Sequence, residues 1–247
     1  NDGTSGTVSI VSGLASGGAG GDIVVRVGSG DSGLGGALSL SSGTTTAIQR
    51  TGGAVSTTSG ASASSTTGTV TVATANAVSH GFSGAILLST GTTLRGNTGS
   101  FSVNTGTASN GRGGSISVIV GAGDSGVGGE LRLSAGSTTA ALSGGNVLID
   151  AGEASEAAAT GGAVSITSGG SKSASTGAVV VSTANAASFG LSGALQLSSG
   201  TTQDGNSGYL LVGSGTSVGG HAGTVSVMVG SGDSGVGGHL IMSSGQT

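Results

Sequence analysis

Three short stretches of the chain carry residues that could do chemistry. "GSGDSGLGG" begins at Gly28, "GAGDSGVGG" at Gly121 and "GSGDSGVGG" at Gly230. Each contains Gly-Asp-Ser-Gly, the setting of a nucleophilic serine in one class of hydrolase. Each also satisfies G-x-G-x-x-G, the pattern of a dinucleotide-binding turn. A nucleophilic serine needs a histidine base, a buried acid and an oxyanion hole in one place. His80, His221 and His239 lie in three separate parts of the sequence. Asp31, Asp124 and Asp233 sit among glycines, where Asp is an ordinary turn former. A dinucleotide turn must open a helix, whereas "GGALSL" after the first copy alternates like a strand. No catalytic or cofactor-binding residue follows from these motifs. Ser32, Ser125 and Ser234 are expected to be inert towards a fluorophosphonate probe.

Metal chemistry fares no better. Calcium would need aspartates on neighbouring segments to supply six to eight oxygens, and Asp31, Asp124 and Asp233 are 93 and 109 residues apart. Asp150, Glu153 and Glu156 form the one acidic cluster, which reads as a solvated loop. Glu130 with Arg132, and Asp22 with Arg26, read as surface ion pairs and not as the paired acids of a glycoside hydrolase. No metal ligands and no cofactor are assigned. The expectation is a protein that is not an enzyme.

The composition narrows the remaining classes. Of 247 residues 56 are glycine, none is proline, cysteine or tryptophan, and the formal net charge is −4. Six Lys and Arg leave no basic footprint for nucleic acid. Without cysteine there are neither disulfides nor thiolate metal sites. No apolar run approaches the ~20 residues of a membrane helix.

What positions every one of these residues is a repeat. Glycines 6, 21, 36, 53, 68, 84, 99, 114, 129, 145, 162, 177, 193, 208, 223 and 238 each precede a short apolar stretch at spacings of 15, 16 or 17. With that glycine as position zero, position two is large and apolar throughout, from Val8 to Leu240. Position four is apolar except at Thr57. Position seven is Gly, or Ala at Ala75 and Ala184. Alternation at two and four is the signature of a strand with one face inside. Glycine at zero and seven suggests corners that need positive φ or close backbone approach. Positions nine, twelve and fourteen are mostly small.

These features predict an all-β chain, a parallel β-solenoid (β-helix) of about sixteen coils of 15–17 residues. Residues 1–247 would form a single continuous segment of it, expected to be part of a longer repeat array, with positions two and four inward. A longer period lies over the first. "TGTVTVATANAVSHGFSGAILLSTGTT" from Thr67 returns as "TGAVVVSTANAASFGLSGALQLSSGTT" from Thr176, 109 residues later. Copying of whole repeats explains why Gly-Asp-Ser-Gly occurs three times.

Two functional readings follow. The first is a structural protein that associates with itself, laterally through exposed apolar side chains such as Leu87, Leu148 and Ile241, or end to end. Asn1 enters the first repeat almost directly and Thr247 stops partway round the last, so both ends are expected to be uncapped and to continue into more chain or another molecule. The alternative is ice binding by a flat face bearing Ser and Thr. Arg132 and Gln196 interrupt that face, and the Thr-Thr pairs (Thr92–Thr93, Thr138–Thr139, Thr201–Thr202) skip repeats.

"GGAVSITSG", "STANAASFGLSGALQLSSGTT" and "VGSGDSGVGGHL" resemble Gly/Ser/Thr-rich β-solenoid repeat proteins predicted in diatoms and related heterokont algae, along essentially the whole chain. That resemblance implies an extracellular, cell-surface or secreted-appendage setting and assigns no residue a role. Surface Ser and Thr are candidates for O-linked glycans, while no N-x-[ST] acceptor occurs.

Overall fold

The computed structural model describes residues 5–78, 80–156, 158–187 and 190–245. The terminal residues Asn1 and Thr247, on which the expectation of uncapped ends rests, lie outside them. The chain divides into two units, Asn1–Ile119 and Val120–Thr247. The division falls inside the straight run of the repeat that starts at Gly114. Both units are built from the same repeat.

The expected all-β solenoid is not what forms. Among the described residues there is no β-strand and no α-helix. Among the described residues no backbone hydrogen bond joins a residue to its counterpart one repeat further on. The two apolar columns are uncovered as well: Val164 is 53% exposed and Ile166 71%. The accessible surface is 24842 Å². A folded chain of this mass would expose about 9,000–10,000 Å² and a fully unfolded one about 32,000 Å². Most of the surface that folding ordinarily removes from water stays in water.

The repeat itself is nevertheless present in the structure. In every repeat from Gly6 to Gly223 the described bends and turns fall between positions ten and thirteen, and the run from zero to seven has none. The chain therefore runs straight, bends once, and begins again. At each position-zero glycine from Gly21 to Gly238, the bend brings the new repeat back against position six of the one before. Among the described residues a backbone bond completes this closure in five repeats, the position-zero amide donating to the position-seven carbonyl. These bonds are Gly53 to Gly43, Gly68 to Gly60, Gly145 to Gly136, Gly162 to Gly152 and Gly177 to Gly169, at 2.9–3.0 Å.

This local closure explains why a solenoid is not built. A coil needs at least two straight walls, and here the second half of each repeat is consumed by the bend. The amide of Gly53 or Gly162 is bonded inside its own loop and does not start a ladder with a neighbour. The thin half of the repeat supplies mainly Gly, Ala, Ser and Thr, with scattered exposed large residues such as Leu34 and Leu94, so positions two and four have no continuous apolar wall to pack against. Alternation still selects one side of the run, but no second surface covers that side. A chain with 56 glycines also loses much backbone freedom on ordering.

Two devices turn the corner. In most loops one residue at position eleven, twelve or thirteen takes a left-handed conformation, as at Gly126 (φ 83°) and Gly205 (φ 131°). Gln49, Asn110 and Ala158 do the same without being glycine. In the remaining loops the hydroxyl at position nine accepts from a backbone amide further round the bend. Ser62 Oγ accepts from Ser65 N at 3.0 Å, Ser171 Oγ from Ala174 N at 2.9 Å and Thr138 Oγ1 from Ala140 N at 3.1 Å. These are side-chain-to-backbone turns of the kind Ser and Thr favour. The glycines at zero and seven, by contrast, are not the left-handed ones. Close approach demands glycine at position zero in some repeats, most of all at Gly36, Gly129 and Gly238.

Candidate functional site

The Gly-Asp-Ser-Gly loops are the first place to look for a site. Ser32 Oγ donates to its neighbour Asp31 Oδ1 at 3.4 Å, and Ser234 Oγ to Asp233 Oδ1 at the same distance. The glycine that follows is left-handed in all three copies, with φ 90° at Gly33 and 83° at Gly126 and Gly235. The motif thus supplies a bend: Asp and Ser at its crest, glycine at the residue that reverses direction.

The same repeats share a second feature that sequence reasoning missed. Position six is Val27, Val120 or Val229, the least exposed of the large apolar side chains at 42–44%. Each lies over the glycine that opens the next repeat. A Cβ added at Gly36, Gly129 or Gly238 would stand 2.7, 2.6 or 2.8 Å from the valine Cγ1. The three stretches are therefore a valine, a left-handed corner and a glycine seat acting together. The signal was legible in retrospect, since valine occupies position six only where Gly-Asp-Ser-Gly follows.

The other candidates are not brought together. Among the described residues there is no enclosed pocket, and no group of three or more His, Asp or Glu is placed to hold a metal ion. Asp22, Arg26, Glu130, Arg132, Asp150, Glu153 and Glu156 are not buried against one another. The side-chain hydrogen bonds of the described residues include neither Glu130–Arg132 nor Asp22–Arg26. No helix of the described residues is long and apolar enough to cross a membrane.

Two of the Thr-Thr pairs have a local function. Thr93 Oγ1 donates to the carbonyl of Arg95 at 3.1 Å, and Thr138 Oγ1 accepts from Ala140 N. Both threonines occupy position nine of their repeats and serve the bend. What the described surface offers is the side chains at positions two and four of each repeat, large and apolar except at Thr57, and open to solvent. Comparison with family models, with curated proteins and with solved structures finds no match to this chain.

Proposed function

We propose that the chain is a structural repeat protein of an extracellular or cell-surface fibre, appendage or matrix, built by association with further copies. The observation that carries this reading is the uncovered pair of apolar columns. Side chains such as Ile86, Val164 and Leu195 are half exposed, and those at position four more so. Exposed apolar side chains in excess of scattered single residues mark an association surface. With 6% charged residues, little electrostatic repulsion opposes contact between like copies. The resemblance to algal Gly/Ser/Thr-rich repeat proteins supports the location, and exposed loop Ser and Thr leave room for O-linked glycans.

Electron microscopy of the native material, with sedimentation of purified protein over a range of concentrations, tests the reading. Filaments or sheets, with mass rising as concentration rises, are the expected result. A monomer at the highest concentration reached would overturn it. Thermal hysteresis measured on the same material separates the ice-binding alternative, and clear activity at micromolar concentration would favour that alternative instead.

A further inference from the structure

At Asn110 the backbone conformation and the next residue together point to a covalent change. The chain has eight asparagines, and only Asn110 is followed by glycine. The others precede Asp, Ala, Thr, Val or Ser. Asn110 lies at position eleven of the repeat that opens at Gly99, inside the bend at 109–111, with φ 61°. The same position 109 residues later is Gly219, also left-handed at φ 81°. The corner demands a left-handed residue, and asparagine enters that region more readily than most side chains.

The turn thus explains an asparagine at 110. It does not demand the glycine at 111. Gly111 is not left-handed, and a Cβ added there would meet Ala108 Cβ at an ordinary 3.7 Å. Nothing shields the pair either. Both residues are exposed, and among the described residues no hydrogen bond engages the Gly111 amide or the Asn110 side chain.

We propose that Asn110–Gly111 is a self-modifying site, at which the chain converts its own asparagine to aspartate and isoaspartate through a cyclic imide. Asparagine is among the thermally labile residues. The Gly111 backbone nitrogen attacks Asn110 Cγ. The N–Cγ bond forms, the Cγ–Nδ2 bond breaks, and Nδ2 leaves as ammonia with the proton taken from the Gly111 amide. Water then opens the ring. Addition at Cγ gives aspartate. Addition at the main-chain carbonyl carbon of residue 110 gives isoaspartate, whose backbone runs through Cβ and Cγ. Water and a base that removes the amide proton are sufficient, and no electrons are gained or lost. Ring closure is intramolecular, so the reacting atoms are already held together. Glycine gives the backbone freedom to approach and has no side chain to obstruct it.

The product alters the corner itself. Isoaspartate lengthens the main chain by a methylene at the residue that reverses direction, and either product adds a negative charge two residues before Arg112. The corresponding loop, with Gly219 in this place, has no such chemistry. A single copy of the chain suffices, so the site is independent of self-association.

The test incubates the whole chain warm, at neutral and at mildly alkaline pH. Trypsin cleavage after Arg95 and Arg112 then releases one peptide, residues 96–112, that carries Asn97, Asn104 and Asn110. Fragmentation mass spectrometry reads amide loss at each and separates isoaspartate from aspartate. Asn110 is expected to convert at least tenfold faster than Asn97 and Asn104, which precede β-branched threonine. The rate should rise with pH, and isoaspartate should be among the products. Gly111→Ala, which the loop accommodates, should slow the conversion roughly tenfold by restricting the backbone. A synthetic peptide of residues 105–115 gives the rate without the surrounding repeats. Conversion in the protein should stay within about tenfold of it, as for a loop that opens at almost no cost. Equal rates at the three asparagines, or in wild type and Gly111→Ala, would overturn the proposal. Conversion in the protein more than tenfold slower than in the peptide would also overturn it, because the loop would then hold Asn110 away from ring closure.

Discussion

At the residue scale, two kinds of glycine do different work. Gly129 is held by proximity, since a Cβ there would meet Val120 Cγ1 at 2.6 Å, whereas one at Gly21 would meet Ser12 Cβ at an ordinary 3.6 Å. Valine is stiff at χ1 and cannot easily swing aside. Gly129→Ala should therefore weaken its loop by about 1–3 kcal/mol, and Gly21→Ala should be near neutral. Amide exchange at residues 121–128 compared with residues 13–20 would read the difference; equal effects would mean that the valine yields freely. Thr57 tests the columns in the same way. Its position is exposed, so Thr57→Val should change stability by no more than ~0.5 kcal/mol. A marked loss in thermal or denaturant unfolding would imply a buried partner for the hydroxyl.

At the scale of the repeat, the loop is the element that folds. Ser62 and Ser171, at position nine of repeats 109 residues apart, bond backbone amides at 3.0 and 2.9 Å in loops that have no left-handed residue. Replacing Ser171 by Ala removes the only such device in its loop and should cost about 0.5–1.5 kcal/mol of local stability. The Gly177–Gly169 closure would then be lost before the others, visible as faster exchange of the Gly177 amide. Unchanged exchange there would show that the closure is independent of the hydroxyl. The repeat register was legible in the sequence because glycine at zero and a large residue at two recur without a break. The closure onto position six was not, because small residues such as Ser42, Thr90 and Ala151 look like filler until the facing glycine is seen.

For the whole molecule, the misreading has a physical origin. Alternation such as Val164, Ser165, Ile166 reports which side chains share a side of the backbone, and says nothing about whether an opposing wall exists. The return half of the repeat, as in "GGSKSASTG", is mostly Gly, Ser, Thr and Ala, and its scattered large residues, such as Leu34 and Phe82, stand exposed around the bends. Apolar surface left uncovered in a single chain must respond to temperature and concentration as apolar surface does. In dilute solution, far-UV circular dichroism should show neither helix nor sheet, and amides outside the closed loops should exchange at close to unprotected rates. A strong sheet signal in the monomer would contradict this structure. Association, where it occurs, should weaken on cooling towards ~0 °C, because hydrophobic attraction fades in the cold. Association that strengthens on cooling would point to polar contacts.

The closures also have a mechanical consequence. The bond from Gly162 to Gly152 bridges only ten residues, and the next, from Gly177 to Gly169, bridges eight. Straight runs separate the two, and no ladder couples them. Tension along the backbone would undo such catches one at a time, each releasing on the order of 30 Å of slack for a loop of about ten residues. When the load is removed, loops of this length find their ends again in ~10–100 ns. A strand made of this chain would stretch at low force, yield in many small steps and recoil almost without hysteresis. It would behave as an elastic tether and not as a rigid strut.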